Sequence, residues 1–135
     1  MSKKVRHRGP DWSGIHCGKN VLLAHERLAI VDPASGNQPI FSHDKNLILE
    51  ANGEIYNHLE LREVYLKECR FKTHSDTETL LHLYIKYNER MFDIIDGMYA
   101  FAILDKKSNK IILGRDRAGK KPLYIYQDNG QVLFA

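Results

Sequence analysis

Cysteine is scarce in this sequence. The 135 residues include two, Cys17 and Cys69, which is too few for a framework of disulfide bonds. No apolar run approaches the ~20 residues that a membrane-spanning helix needs. The first residues also lack the hydrophobic segment of a secretory signal peptide. These absences argue against a secreted or membrane protein and predict a cytoplasmic location, with no membrane partner.

Motifs for nucleotide, hydrolase and zinc chemistry are missing as well. There is no phosphate-binding loop, no glycine-rich dinucleotide fingerprint after a strand and no Gly-x-Ser-x-Gly elbow. The 7 histidines form no close pair on one helix and neither cysteine has a neighbouring ligand, so we expect no metal site. The sequence therefore predicts a domain without a cofactor of its own.

Positive charge is in slight excess, with a formal net charge of +3, and it is unevenly distributed. Basic residues are concentrated at positions 3–8 and 115–121. A nucleic-acid-binding arm is one explanation, but no aromatic residues are interleaved with these charges and no known nucleic-acid motif is present. Solvated loops with local ion pairs are the favoured interpretation, and we expect no nucleic-acid partner.

The composition is that of one globular domain covering residues 1–135. Short runs rich in Val, Ile, Tyr and Phe predict strands at residues 21–24, 28–31, 47–49, 99–104, 111–113, 123–126 and 132–134. Helical spacing of apolar residues predicts helices over 59–69 and 77–87, the second opened by a capping box between Ser75 and Glu78. This order predicts an α+β fold in which helices cover an antiparallel sheet.

Four segments carry more charged and polar residues than a purely structural domain requires. They are RHRGPD at residues 6–11, HERLAIVD at 25–32, NGEIYNH at 52–58 and GRDRAGKKPLY at 114–124. An isolated Arg-Asp pair is usually a structural ion pair, and an isolated Asn-Gly is usually a turn. The four segments together in this order are harder to explain in that way.

With HSDTE at residues 74–78, these segments resemble the motifs of the glutamine-hydrolysing domain of asparagine synthetases, in order and in spacing. That family belongs to the class II glutamine amidotransferases, a branch of the N-terminal-nucleophile hydrolases. The resemblance covers residues 6–135 and implies an αββα sandwich of antiparallel sheets. It implies L-glutamine as a ligand and a synthetase domain as a partner. ATP and Mg²⁺ are expected only in that second domain, which would amidate aspartate with the released ammonia.

The resemblance assigns a role to each motif residue. Arg27 matches the arginine that binds the α-carboxylate of glutamine, since a guanidinium can grip a carboxylate with two hydrogen bonds. Asp76 matches the partner of the α-ammonium group, although without the resemblance plain helix capping would be the favoured explanation. The side chain of Asn52 and the backbone N–H of Gly53 match the donors to the tetrahedral oxyanion. The residues expected to complete the pocket are Leu28, Ile30, Val31 and Glu54.

The nucleophile of this family is an N-terminal cysteine assisted by its own α-amino group. We expect that cysteine, with the first strand and the first helix of the fold, to lie outside this chain. Ser2 is a poor substitute because no strand or helix is expected between it and Arg6. Cys17 in a predicted loop and Cys69 on a predicted helix are expected to be inert thiols. The chain is therefore predicted to keep much of the glutamine pocket without hydrolysing glutamine.

Three other functions remain open. The chain could be a glutamine sensor that binds through Arg27 and Asp76 without hydrolysis. It could be an interaction module that self-associates through an exposed sheet edge. It could also come from a related amidotransferase with another acceptor, such as a cell-surface sugar or a β-lactam precursor. His74 stands where many relatives have glycine, which we expect to narrow the ammonium end of the pocket.

Overall fold

A four-stranded antiparallel sheet lies at the centre of the fold, with the strand order β3 (Ile40–Phe41), β4 (Leu47–Ile55), β5 (Gly97–Asp105) and β6 (Lys110–Arg115). The computed structural model describes residues 2–32 and 34–135. The two central strands, β4 and β5, pair along their whole length. They are flanked by the short β3 and by β6. The predicted α+β fold with antiparallel pairing is confirmed.

Two hairpins and a helical layer surround this sheet. The hairpins are β1 (Trp12–Cys17) with β2 (Leu22–Arg27), and β7 (Ile125–Asp128) with β8 (Gln131–Phe134). The helices are α1 (His58–Glu60), continued by a π-helical turn over Leu61–Tyr65, then α2 (Glu78–Tyr87), and 3₁₀ segments at Ser2–Arg8 and Asn88–Asp93. No helix in the described part of the chain is long and apolar enough to cross a membrane.

The helices cover one face of the central sheet. Alternate residues of β4 and β5, such as Leu49 and Phe101, point into the main core, where they meet Leu80 and Leu83 of α2. All four side chains are buried. Burying a side chain of this size typically contributes about 1.5–3 kcal/mol, so this layer carries much of the stability of the fold.

The hairpins cover the opposite face. A second, smaller core joins Leu23 of β2 to Ile48 of β4 and Leu104 of β5, and Phe134 at the end of β8 packs against it. The remaining β7–β8 residues are largely exposed. The sheet is therefore thickly covered on its helical side and only partly covered on this one.

The β1–β2 hairpin lies alongside β3 and the segment that precedes β3. The His16 ring lies 6.0 Å from the Phe41 ring, between centroids, and Trp12 Nε1 donates to the Gln38 carbonyl at 3.3 Å. Between them, a Cβ on Gly14 would lie 1.8 Å from the Gln38 oxygen, so only glycine allows this approach. The hairpin thus runs from the second core towards the chain just before β3.

Two strand predictions were wrong around this hairpin. Residues 28–31 were predicted as a strand, but β2 ends at Arg27 because the chain turns there to place carbonyl groups around that side chain. The segment containing Cys17 was predicted as a loop, yet it is strand β1. Its inward positions are Gly14 and His16, so it lacks the apolar alternation that marks a strand in sequence.

The helix predictions were right in place and wrong in detail. The first helix ends at Tyr65, where the Leu66 N–H closes onto the Leu61 carbonyl at 3.0 Å, four residues before the predicted end. The predicted capping box does not form at α2. The Ser75 hydroxyl instead pairs with the Thr77 hydroxyl at 2.8 Å, and Glu78 turns its carboxylate to the preceding loop.

Candidate functional site

Beyond the end of β3, side chains and not a further strand form hydrogen bonds with the backbone along the edge of β4. The Gln38 amide donates to the Ala51 carbonyl at 2.8 Å and accepts from the Ala51 N–H at 2.6 Å. Further along, the Asp76 carboxylate accepts from the Ile55 N–H at 2.7 Å. Because backbone groups alternate in direction along a strand, the Gly53 N–H points to the same edge, between these two positions.

Glycine is required at position 53 by the neighbouring strand. Its φ is +147°, and a Cβ there would lie 2.0 Å from the Met98 carbonyl oxygen. Opposite it, Tyr99 bonds away from β4: its N–H donates to the Asp116 carboxylate at 3.2 Å and its carbonyl accepts from the Asp116 N–H at 2.8 Å. The Gly53 N–H is therefore held towards the edge of β4 that lies beyond the end of β3. We call this part of β4, from Ala51 to Ile55, the open edge.

Arg27 ends β2 with its side chain buried, at 5% exposure. Its guanidinium donates to Asn37 Oδ1 at 3.1 Å and to the carbonyls of Val31 at 3.1 Å and Asp32 at 2.7 Å. The loop after β2 is thus folded around this side chain, which explains why the strand stops where it does.

Gly36 brings the Arg27 guanidinium next to the turn that carries Asp76. A Cβ on Gly36 would lie 2.5 Å from Arg27 Nη2 and 3.1 Å from Ser75 Cβ, so both groups flank the same small space. A second link is the Asp32 carboxylate, which accepts from the His74 N–H at 2.8 Å. The structure therefore brings together the predicted carboxylate-binding arginine and the predicted ammonium-binding segment.

Arg62 lies beside this turn as well. Its Nη2 donates to the Ser75 carbonyl at 2.7 Å, and its guanidinium carbon stacks 4.0 Å from the centre of the Phe71 ring. Burial lowers the pKa of Arg62, while the carboxylates of Glu78, Asp76 and Asp32 raise it. This cation therefore contributes positive potential at the base of the Asp76 turn.

The remaining predicted pocket residues are spread around the open edge. Asn52 and Glu54 lie on the hairpin-facing side of β4, with Asn52 exposed. Leu28 and Ile30 are 56% and 70% exposed, so their side chains contribute little packing. The segment after Arg27 is held from the RHRGPD motif, since Asp11 Oδ2 accepts from the Ala29 N–H at 2.8 Å.

Two cavities lie elsewhere in the described chain. One, of about 770 Å³, lies between α2 and the β3–β4 turn and is lined by Cys69 and His82 among others. The other, of about 360 Å³, lies beside Asn37 and Lys72. Neither lining includes Arg27 or the other predicted ligand-contacting groups, so the predicted site is an open edge and not one of these cavities.

The candidate nucleophiles lie apart from Asn52. Cys17 is exposed and pairs with Leu22, at the far end of the hairpin from Arg27. Cys69 packs against the helical core, where burial raises the pKa of its thiol. Within residues 2–32 and 34–135, no group of three or more His, Cys, Asp or Glu side chains is placed to hold a metal ion.

Ser2 also lies away from the open edge. It belongs to a 3₁₀ helix that was not predicted from the sequence, and its hydroxyl lies beside the Glu26 carboxylate, whose pKa it helps to lower. Glu26 precedes the inward-pointing Arg27, so it lies on the outer side of β2. Ser2 therefore lies on the outer side of β2, away from the inward-facing side that carries Arg27.

Two titratable groups with displaced pKa values were not predicted from the sequence. Glu50 is 8% exposed on the hairpin-facing side of β4, and burial raises its pKa to about 7. His25, on the inward side of β2, has its pKa lowered to about 4 by burial and, secondarily, by the Arg27 cation. The signal available for Glu50 was a single acidic residue inside an apolar strand, between Leu49 and Ala51.

Two further motif residues support the scaffold. The Asp116 carboxylate of the GRDRAGKKPLY segment accepts from the N–H groups of Lys120 at 2.9 Å and Lys121 at 3.0 Å. Asn57 of the NGEIYNH segment donates to the Ile94 carbonyl at 2.9 Å. These contacts give the basic loop and the end of β4 a structural explanation.

Comparison with known proteins agrees with the motifs. Residues 1–135 match the family model described as a glutamine amidotransferase domain. The chain is 52% identical over 136 residues to asparagine synthetase (glutamine-hydrolyzing) 3 of Arabidopsis thaliana, covering 100% of this chain and 23% of that protein. It is 52% identical over 125 residues to asparagine synthetase (glutamine-hydrolyzing) 2 of Oryza sativa subsp. japonica, covering 93% of this chain and 21% of that protein. The chain thus spans less than a quarter of these relatives, and the resemblance of its motifs is confirmed.

Proposed function

Because the chain belongs to the glutamine amidotransferase domain family, we propose that it binds L-glutamine at the open edge of β4. Arg27 would bind the α-carboxylate and Asp76 the α-ammonium group, while Asn52 and the Gly53 N–H face the side-chain amide. The observation that carries this proposal is the position of the Gly53 N–H between Gln38 and Asp76, with the Arg27 guanidinium beside the Asp76 turn.

Each proposed contact matches the chemistry of the ligand. Asn52 and Gly53 offer two donors to the oxygen of an amide, and such donors typically stabilise a developing oxyanion by about 3–4 kcal/mol each. Arg27 holds the carbonyls of Val31 and Asp32, so a carboxylate bound there would exchange with these neutral acceptors. A charged acceptor is favoured in that exchange because it makes stronger hydrogen bonds with a guanidinium. The surrounding wall would come from Leu28, Ile30, Val31 and Glu54.

For the whole protein we propose glutamine hydrolysis that supplies ammonia for ATP-dependent amidation of aspartate. The names of the relatives and their greater length support this proposal. The domain would be an αββα sandwich, residues 1–135 would form one part of it, and ATP and Mg²⁺ would act in a separate synthetase domain. The exposed apolar side chains of the β7–β8 hairpin, including Ile125 and Val132, support contact with a further part of that protein. Cytoplasmic location and self-association remain proposals of the sequence analysis.

A second candidate function is glutamine binding without hydrolysis. It is favoured by the positions of Cys17 and Cys69, which lie at the far end of the hairpin and on the helical side of the sheet. Attack on an amide requires a nucleophile about 3–3.5 Å from the carbonyl carbon. We therefore expect no ammonia release by this chain alone. Turnover that persists after Ser2, Cys17 and Cys69 are each changed to Ala would contradict this expectation.

Calorimetry tests the binding proposal directly. We expect L-glutamine to bind, with affinity reduced about tenfold or more in Arg27→Ala and Asp76→Asn, because each loses a charge-assisted contact. The matched controls are the exposed residues Arg90 and Asp93, changed to Ala and Asn respectively, which should bind as the wild type does. Absence of binding to the wild type, or equal binding by Asp76→Asn, would overturn the proposal.

A further inference from the structure

Glu50 carries a buried carboxyl group with no role in the contacts described so far. Its Oε1 atom is buried and has no hydrogen-bond partner within the described chain, and its register neighbour on β5 is Ala102, which has no polar side-chain atom. Burial is the one cause of its raised pKa. An unpaired buried carboxyl costs free energy, and a ligand that brings an N–H donor would remove that cost.

The position of Glu50 connects it to the proposed glutamine site. Alternation along β4 places Ile48, Glu50 and Asn52 on the same face of the sheet. Ile48 is fully buried beneath Leu23, whereas Asn52 is exposed. Glu50 therefore lies where the covered part of this face meets the open part. It is two residues from Asn52, the proposed oxyanion donor.

We propose that Glu50 contacts the substrate, accepting a hydrogen bond from the side-chain NH₂ of glutamine while Asn52 donates to the amide oxygen. This inference rests on the proposed function. Alternate residues of a strand are ~6.8 Å apart. Two hydrogen bonds of ~2.9 Å on either side of a planar amide span a comparable distance. One face of β4 would thus bind both ends of the amide group.

The consequence is selection of glutamine over glutamate. The γ-carboxylate of glutamate offers no donor to Glu50 and would be repelled by its charge. A site built to bond a substrate N–H rejects an analogue that lacks it, because a buried polar group is then left unpaired. Glu50 is therefore a specificity-determining residue, whereas Arg27 and Asp76 bind groups that both amino acids share.

The test is the affinity ratio for L-glutamine and L-glutamate, measured by calorimetry with the full chain about one pH unit above the pKa of Glu50. Wild type is expected to prefer glutamine by at least about tenfold. Glu50→Gln should reduce the preference to about threefold or less, because its amide can donate to a carboxylate and carries no charge. The control is Glu60→Gln on the exposed surface of α1, which should keep the wild-type ratio.

A second measurement uses the wild-type protein and so does not depend on whether a variant folds. The ¹³C chemical shift of the Glu50 carboxyl group should change when glutamine is added to the wild type, and change less at equal occupancy of glutamate. An unchanged shift with bound glutamine, or a wild-type affinity ratio in folded Glu50→Gln, would overturn the inference and leave the glutamine site standing. Failure of both amino acids to bind the wild type would instead overturn the proposed function, and this inference with it.

Discussion

Replacing Glu50 with Gln should change how the stability of this domain depends on pH. The pKa of Glu50 is raised from 4.5 to about 7 in the folded protein, so the folded state keeps a proton that the unfolded chain has lost. The free energy of unfolding must then fall as the pH rises through this window. At 1.36 kcal/mol per pKa unit, the total fall is about 3 kcal/mol.

His25 produces the opposite slope in nearly the same window. Its pKa is lowered from 6.5 to about 4, so the folded state releases a proton that the unfolded chain retains. The free energy of unfolding therefore rises with pH up to the unfolded-state pKa, again by about 3 kcal/mol. In the wild type the two contributions largely cancel, and the decline due to Glu50 shows only towards neutral pH.

Single substitutions separate the two contributions. Urea unfolding followed by fluorescence of the one tryptophan, Trp12, should show the stability of Glu50→Gln rising from about pH 4 to 6.5. His25→Gln should instead lose stability as the pH rises to about 7. The exposed control Glu60→Gln should follow the wild type. Parallel wild-type and Glu50→Gln profiles, separated by a constant offset, would refute the argument, because Glu50 would then titrate alike in both states.

Three further substitutions test the packing of the open edge and of the helical layer. Gly53→Ala should destabilise by about 2–4 kcal/mol in urea unfolding, since its Cβ would meet a carbonyl 2.0 Å away. Gly130→Ala, which also has positive φ but nothing within 4 Å, should cost less, and equal losses would contradict the close-contact explanation. Gln38→Ala leaves two buried backbone groups of β4 unpaired and should cost about 2–4 kcal/mol, whereas exposed Gln127→Ala should cost almost nothing. Leu81→Ala, at 1% exposure, should lower the free energy of unfolding by about 2–5 kcal/mol, and a near-neutral effect would mean that α2 packs loosely.

The central strands could be located from sequence where both of their faces are buried, although the prediction for β4 covered only residues 47–49 of Leu47–Ile55. In β5 an unbroken apolar run from Tyr99 to Leu104 leaves no other interpretation for so short a segment. The last hairpin was equally accessible, since Asn129 and Gly130 adopt the positive φ that their residue types permit. Periodicity and turn chemistry are local signals, and they are sufficient to predict these elements.

The rest of the site depends on contacts that leave no local pattern. The pairing of Gln38 with Ala51 joins residues 13 positions apart, and a buried glutamine has no sequence signature. The close packing of Gly36 against both Arg27 and Ser75 likewise has no signature in the sequence. Motif resemblance pointed to Arg27 and Asp76 without these contacts, which is why the sequence indicated the proposed ligand-binding residues and missed the residues that hold them.

Three of the motif aspartates show why substitutions at this site need careful choice. Asp11 and Asp116 hold backbone N–H groups of loops, and Asp76 does the same for Ile55 at the end of β4. Asp76 therefore supports the scaffold as well as facing the proposed ammonium group. Asp76→Asn keeps an oxygen that accepts from the Ile55 N–H and loses the charge, so affinity should fall while thermal stability changes little. Asp76→Ala removes both, and its loss of binding could not be attributed to charge alone.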